Sequence, residues 1–142
     1  MGFLTSQQVN KYYDFFQKAE ITFTKEVIQA MNLNAQQSSI RCVGSEGGPW
    51  PCVINSSSMI GAKVIVPQHC GIYEKISDGI TAISLWFSFS QTNGKSDLSF
   101  FVSGKVVSCT PYTVTPDLLL LNIEYTQRAP DDLIEKLGLL VD

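Results

Sequence analysis

The amino-acid sequence predicts a mainly β protein, a six-stranded antiparallel barrel with an N-terminal helical segment and a C-terminal helix. Hydrophobic residues change from helical spacing to strict alternation near residue 39. The alternating stretches are short and are separated by clusters of Gly, Pro, Asn and Ser. Short strands with hairpin-length links would expose two sheet edges unless the sheet closes, so a small barrel is the expected architecture.

Residues 1–38 are predicted to form the helical segment. Thr5 and Gln8 have capping-box spacing ahead of an amphipathic helix over about residues 6–19, and a second short helix is expected over 25–31. One face of the first helix carries three aromatic side chains: Tyr12, Tyr13 and Phe16. We expect this face to pack either on the barrel or on a partner subunit, and the sequence leaves both options open.

Residues 39–142 are predicted to form the barrel and its C-terminal helix. In the fourth strand, Trp86 lies on the serine face, opposite to four apolar residues that are expected to fill the core, so Trp86 requires a cover or faces solvent. Asn93 and Gly94 favour a tight hairpin turn after that strand. The six strands are expected near residues 39–44, 50–55, 61–67, 80–90, 98–109 and 117–126.

The closing helix is predicted within the stretch APDDLIEKLG. Pro130 suits the first turn of a helix, and the carboxylates of Asp131 and Asp132 complement the helix dipole. Gly138 is expected to end the helix in a left-handed conformation.

Composition limits the classes of function. A chain of 142 residues with 44% hydrophobic content fits one domain. The net charge of −3 argues against nucleic acid polymers and anionic membrane surfaces as partners. The sequence contains neither a signal-peptide pattern nor a long apolar span, so we expect a cytoplasmic protein without membrane insertion.

Neither catalysis nor metal binding is predicted. The four cysteines are irregularly spaced and are expected to be reduced core thiols. His69 is the only histidine, and although Cys70 follows it, adjacent residues of an extended strand point to opposite faces. No nucleophile elbow, P-loop or HExxH motif accompanies the pair. We therefore assign no catalytic residue and no metal ligand.

The stretch CVINSSSMIGAKVIV resembles the PilZ family. In that family a strand enters the pattern (D/N)xSxxG, and an upstream RxxxR helps to hold cyclic di-GMP. Ser58 and Gly61 stand at the Ser and Gly places of the pattern, whereas Ser56 replaces its acidic or amide residue. The closing LNIEYTQRAPDDLIEKLG is also similar to the family's final segment, and the resemblance covers about residues 39–138.

The sequence departs from the family in its arginines. No two basic residues are four positions apart, so neither arginine nor lysine supplies the RxxxR motif. We therefore expect cyclic di-GMP binding to be absent or weaker than micromolar, and we expect no other cofactor. If a ligand does bind, the resemblance places it at Arg41, Ser56, Ser58 and Gly61, and a Gly61→Val variant should then lose binding but keep its fold.

The resemblance implies a non-catalytic signalling or adaptor domain with a degenerate cyclic di-GMP site, working through contacts with other signalling proteins or with itself. The alternative is a genuine cyclic di-GMP effector that uses cations outside the family motif together with SSSMIG, residues 56–61, which we call the serine turn. A purely structural turn is a further interpretation of the SSSMIG stretch. The predicted interaction surface consists of exposed aromatic candidates: Tyr12, Tyr13, Phe16 and Trp86.

Overall fold

A computed structural model describes residues 5–30, 33–44, 48–91, 98–114 and 117–141 of the chain. Its helices are α1 (Ser6–Phe16), α2 (Lys25–Ala30), α3 (Ile72–Ser77) and α4 (Asp131–Val141). Its strands are β1 (Ile21–Thr22), β2 (Leu33–Gln36), β3 (Ser38–Cys42), β4 (Trp50–Ser57), β5 (Gly61–Pro67), β6 (Ala82–Gln91), β7 (Leu98–Pro111) and β8 (Leu118–Tyr125).

Six of the strands form a closed antiparallel ring in the order β3, β6, β7, β8, β5, β4 and back to β3. The two remaining strands extend this ring, since β1 pairs with β4 and β2 pairs with β6. The predicted barrel, with a helix on each side of it in sequence, is therefore confirmed.

Alternation along the strands fills the barrel with apolar side chains. The four inward residues predicted on β6 are all buried: Ile83, Leu85, Phe87 and Phe89. Leu121 and Ile123 of β8 and Ile54 of β4 complete the same interior. Each ring strand is thus held by hydrogen bonds on both sides and by an apolar face within.

Helix α1 begins with the predicted capping box, in which the backbone N–H of Gln8 donates to Thr5 Oγ1 and that of Thr5 donates to Gln8 Oε1. The helix packs against α4 of the same chain, and its Val9 is buried. Arg128 Nη2 donates to Asn10 Oδ1 over 2.6 Å. The N-terminal helix and the end of the chain therefore form one layer beside the barrel.

The expectation for Gly138 is wrong. Helix α4 continues through it to Val141, and Gly138 is buried inside the helix. A Cβ at this position would lie 2.6 Å from Cγ of Tyr12, so the glycine serves the close approach of two helices and not a helix stop.

The structure contains secondary-structure elements that the sequence does not predict, and some predictions concern residues that the structure does not describe. The short β1 and β2 strands and helix α3 all fall in stretches for which the sequence predicts turns or helix. The predicted Asn93 and Gly94 turn and the end of the second helix at Met31 lie outside the described residues. Among the described segments, no helix is long and apolar enough to span a membrane.

Candidate functional site

The serine turn joins β4 to β5 and is closed by its own hydrogen bonds. The backbone N–H of Ser58 donates to the carbonyl oxygen of Gly61 over 2.9 Å, and the backbone N–H of Ile60 donates to Ser58 Oγ over 3.2 Å. Ser56, Ser57 and Ser58 are all buried. The polar atoms that the resemblance offered to a ligand are therefore largely used or covered within the chain.

Ser57 connects the turn to the last strand. Its Oγ lies 2.7 Å from the hydroxyl oxygen of Tyr125, and it also lies 2.7 Å from the carbonyl oxygen of Ser58. Burial raises the pKa of Tyr125, and the hydrogen bond with Ser57 opposes part of that rise. The phenol therefore stays protonated at neutral pH and links β8 to the turn through its hydrogen bond with Ser57.

Gly61 allows β5 to approach β8 closely. It is opposite Glu124 in the strand register, and a Cβ on it would lie 2.5 Å from the carbonyl oxygen of Ile123. Backbone cannot yield as a flexible side chain does, so a larger residue here would disturb the pairing of two ring strands. The expectation that Gly61→Val preserves the fold is therefore wrong.

The described lining of the hollow beside the turn contains two acidic residues and one basic residue. Glu20, Lys63 and Glu124 border a shallow hollow there, together with Ser58 and Gly61. Lys63 Nζ lies 3.4 Å from Glu20 Oε1. This hollow thus combines two carboxylates with one cation that is already paired, which disfavours phosphate groups.

Arg41 lies on a different surface. Ile40 is opposite Trp50 in the register of β3 and β4, and Ser56 is six residues farther along β4. At ~3.3 Å per residue, Arg41 and the serine turn are separated by roughly 20 Å of barrel wall. The structure therefore brings Ser56, Ser58 and Gly61 together and leaves Arg41 apart from them.

Arg41 instead borders a recess of about 240 Å³ on the outer wall of the barrel, which we call the Trp86 recess. Trp86 lies opposite Phe101 across β6 and β7, with ring centroids 5.9 Å apart and planes inclined by 16°. Residues of β3, β6 and β7, and the residue before β4, line it: Ser39, Arg41, Pro49, Ser84, Trp86 and Phe101. No residue of α1 is among them, so the N-terminal helix does not cover Trp86 within the described part of the chain.

The aromatic residues of α1 are mostly used in packing. Tyr12, Tyr13 and Phe16 are half-buried against the core. The Arg128 guanidinium carbon lies 4.9 Å from the ring centroid of Tyr13, in cation–π contact. Phe15 is the aromatic residue of this helix that faces solvent, with 72% of its surface exposed.

The histidine and cysteines do not form a recognisable reactive centre. His69 is exposed in the link between β5 and α3, and burial raises the pKa of the Cys70 thiol, which lowers its thiolate content. Within the described ranges, no three His, Cys, Asp or Glu side chains are placed to hold a metal ion. The geometry therefore offers binding surfaces and no activated nucleophile among these residues.

Two important residues were not singled out from the sequence. Phe101 is 68% exposed, yet it follows the buried Phe100 directly, and a pair of adjacent phenylalanines does not reveal which one faces inward. Tyr125 reaches Ser57 across a separation of 68 residues. Both roles depend on strand register, and the alternation of neighbouring residues was the only available signal.

Comparison with known proteins gives matches along almost the whole chain. Residues 7–142 match the PilZN3 domain family. A Treponema denticola protein named cyclic di-GMP binding protein is 46% identical over 143 residues, covering 100% of this chain and 45% of that protein.

A solved structure gives the same fold. The crystal structure of the Borreliella burgdorferi PlzA protein in complex with c-di-GMP matches 98% of this chain and 56% of that chain, with a TM-score of 0.69 and 23% identity. The chain thus spans about half the length of both relatives, at 45% and 56%.

Proposed function

This chain belongs to the PilZN3 domain family, which confirms the resemblance to the PilZ family, and from that premise we propose that it is a non-catalytic, cytoplasmic module of cyclic di-GMP signalling. In this proposal it works by contact with other proteins, and its serine turn does not hold the nucleotide. The link to cyclic di-GMP rests on the name of the Treponema denticola relative. Because this chain matches under half of that protein, either part of the relative can carry the nucleotide site.

The proposal rests on one observation: the serine hydroxyls of the turn are buried or hydrogen-bonded within the chain, and the nearby lysine is paired. A nucleotide with two phosphates requires cations and free polar groups at its site. The hydroxyl of Ser57 is buried against Tyr125, and Ser58 Oγ accepts the Ile60 N–H. The neighbouring Lys63 is paired with Glu20, and Arg41 lies on another part of the wall. Such a turn stabilises the barrel and offers little to a dinucleotide.

Contact with proteins is supported by the aromatic surface. Trp86 and Phe101 stack on the outer wall, and Phe15 protrudes from α1. Exposed aromatic side chains are typical of protein interfaces. Since α1 packs on α4 of its own chain, we treat residues 1–38 as part of the same module, with a protein partner or a second copy binding from outside.

The second candidate function is cyclic di-GMP binding by this chain itself at Ser56, Ser58 and Gly61. The name of the 46% identical Treponema denticola relative, cyclic di-GMP binding protein, favours it. In this case cations outside the family motif would neutralise the phosphates, and Lys63 would exchange Glu20 for the nucleotide.

Isothermal titration calorimetry distinguishes the two candidates. Cyclic di-GMP is titrated into this chain, into its Ser58→Ala variant and into the Treponema denticola protein as a positive control. We expect heat of binding for the relative and none in the micromolar range for this chain. A saturable micromolar isotherm with this chain would overturn the proposal, and its loss in Ser58→Ala would locate the nucleotide at the turn.

A further inference from the structure

The outer wall of β3, β6 and β7 presents polar and aromatic residues in two parallel rows. Ser39 is opposite Trp86, which is opposite Phe101, so the three side chains form one row across the strands. Arg41 is opposite Ser84 in the adjacent row. Residues two apart on a strand share a face, so both rows point outward and enclose the Trp86 recess.

Two polar groups in these rows have no partner among the described residues. Nε1 of Trp86 is buried and finds no hydrogen-bond acceptor in the described segments. Arg41 is exposed and makes no ion pair or hydrogen bond with any described residue. A desolvated N–H donor without an acceptor is unfavourable, and a guanidinium group beside an aromatic surface is well suited to a carboxylate.

The lining of the recess limits what can occupy it. Arg41 is the only charged residue of the six, and no carboxylate is among these described lining residues. The stacked rings of Trp86 and Phe101 provide a flat apolar surface. A single cation suits an isolated carboxylate better than a polyanion, and the chain's net charge of −3 further disfavours nucleic acid.

Each strand of this wall is paired with a neighbouring strand on either side. β3 pairs with β4 and β6, β6 with β3 and β7, and β7 with β6 and β8. A peptide therefore cannot add to the sheet here as an extra strand, and recognition must come from its side chains and carbonyl groups. Such contacts suit an extended segment that carries a ring beside an acidic residue.

We propose that the Trp86 recess is a docking site for an acidic segment of a partner protein, in which an aromatic or proline ring packs on Trp86 and Phe101 and an adjacent carboxylate pairs with Arg41. The assignment rests on the proposed function, since it names the chemistry of the partner that the module contacts. It joins Arg41 and Trp86 in one site that neither the serine turn nor helix α1 shares.

The test uses nuclear magnetic resonance of the whole chain labelled with nitrogen-15. The two tryptophans give separate indole signals, and a Trp86→Phe variant assigns them. The probe is the peptide acetyl-Gly-Phe-Asp-Pro-Gly-amide, which carries one carboxylate, compared with versions that carry lysine for aspartate or alanine for both ring residues, Phe and Pro. We expect a saturable shift of the Trp86 indole signal with the first peptide only, and a much smaller shift of the Trp50 signal.

Variants locate the contact. Arg41→Ala is expected to weaken binding about tenfold, as loss of a charge-assisted pair does, and Phe101→Ala at least as much. Lys63→Ala, on the wall beside the serine turn, serves as the matched control and should leave binding unchanged. Both test residues are exposed, so unchanged thermal unfolding midpoints are expected to show that the variants fold.

Several outcomes would overturn the assignment. Equal binding of the lysine peptide removes the role of Arg41, and no shift with any peptide at millimolar concentration removes the docking site. A concentration-dependent dimer that Phe101→Ala abolishes would assign the recess to a second copy of the chain, and an indole shift with cyclic di-GMP would assign it to the nucleotide. The calorimetric result at the serine turn is independent of these, so the two proposals can fail separately.

Discussion

Gly138 of helix α4 lies directly beneath the ring of Tyr12 from helix α1. A Cβ on Gly138 would come within 2.6 Å of Tyr12 Cγ and 3.0 Å of its Cβ. The two helices therefore approach more closely than any larger residue would permit. This contact holds the N-terminal helix on the barrel module.

Gly138→Ala is expected to destabilise the protein, although alanine in a helix interior normally gains about 1 kcal/mol over glycine. The added methyl group overlaps Tyr12, and overpacking of this kind costs roughly 1 to 3 kcal/mol. Urea unfolding gives the free energy of unfolding. In a Tyr12→Ala background the same substitution should become neutral or stabilising, and equal destabilisation in both backgrounds would contradict the contact.

Arg128→Ala is expected to loosen α1 without unfolding the barrel. The substitution removes the 2.6 Å hydrogen bond to Asn10 and the cation–π contact with Tyr13. Because the arginine side chain is 45% exposed, we expect a loss of only about 1 kcal/mol. Hydrogen exchange should accelerate in α1 and remain slow in the ring strands.

A matched control for that variant is Lys105→Ala. Lys105 Nζ lies 3.9 Å from Glu124 Oε1 in an exposed surface pair. Such pairs contribute little, so exchange in α1 and overall stability should not change. Equal acceleration in both variants would show that Arg128 has no special role.

The barrel itself was predictable because each ring strand alternates over its own length. The inward residues of β6 follow directly from that period, and all four are buried. The capping box of α1 could also be predicted from the sequence, because it depends on two residues three positions apart. These features depend only on residues close together in the chain, and such spacing can be recognised in a single sequence.

The placement of the candidate sites was not predictable in the same way. Arg41 lies in the Trp86 recess because β3 pairs with β6, a pairing between strands more than forty positions apart in sequence. Ser57 is buried because Tyr125 reaches it from β8. The sequence predicts that Gly138 ends the helix. The glycine inside the helix is explained by the packing of Tyr12 against it. Strand register and helix docking decide these cases.

Ser57→Ala and Tyr125→Phe are expected to show energetic coupling. Their hydroxyl groups are 2.7 Å apart and Tyr125 is buried, so removal of either one leaves the other short of a partner. Each single variant should lose about 1 to 2 kcal/mol, and the double variant should lose less than the sum. Strict additivity in urea unfolding would mean that the two hydroxyls do not interact.

The free energy of unfolding is expected to fall as pH rises above about 9. Burial raises the pKa of Cys52 from 9.0 to about 12, and burial also raises that of Tyr125. Below pH 9 both groups keep their protons in the folded and unfolded chains, so their contribution is fully present. At higher pH the unfolded chain releases protons that the folded chain retains, and stability declines until the folded groups also titrate, by up to about 1.4 kcal/mol per pH unit for each group.

Cys52→Val separates the contribution of Cys52 to this loss of stability from that of Tyr125. Valine keeps an apolar side chain at the buried position but cannot ionise, so the fall in the free energy of unfolding just above pH 9 should become shallower. Urea unfolding under reducing conditions at a series of pH values measures the slope, and the cysteine of β7, in a Cys109→Val variant, gives a less buried comparison. Because Tyr125 still titrates in the unfolded chain, the decline above pH 10 should persist in both variants, and it should become shallower when Tyr125→Phe is added to Cys52→Val. An unchanged slope between pH 9 and 10 in Cys52→Val would mean that the Cys52 thiol is not held protonated by the fold.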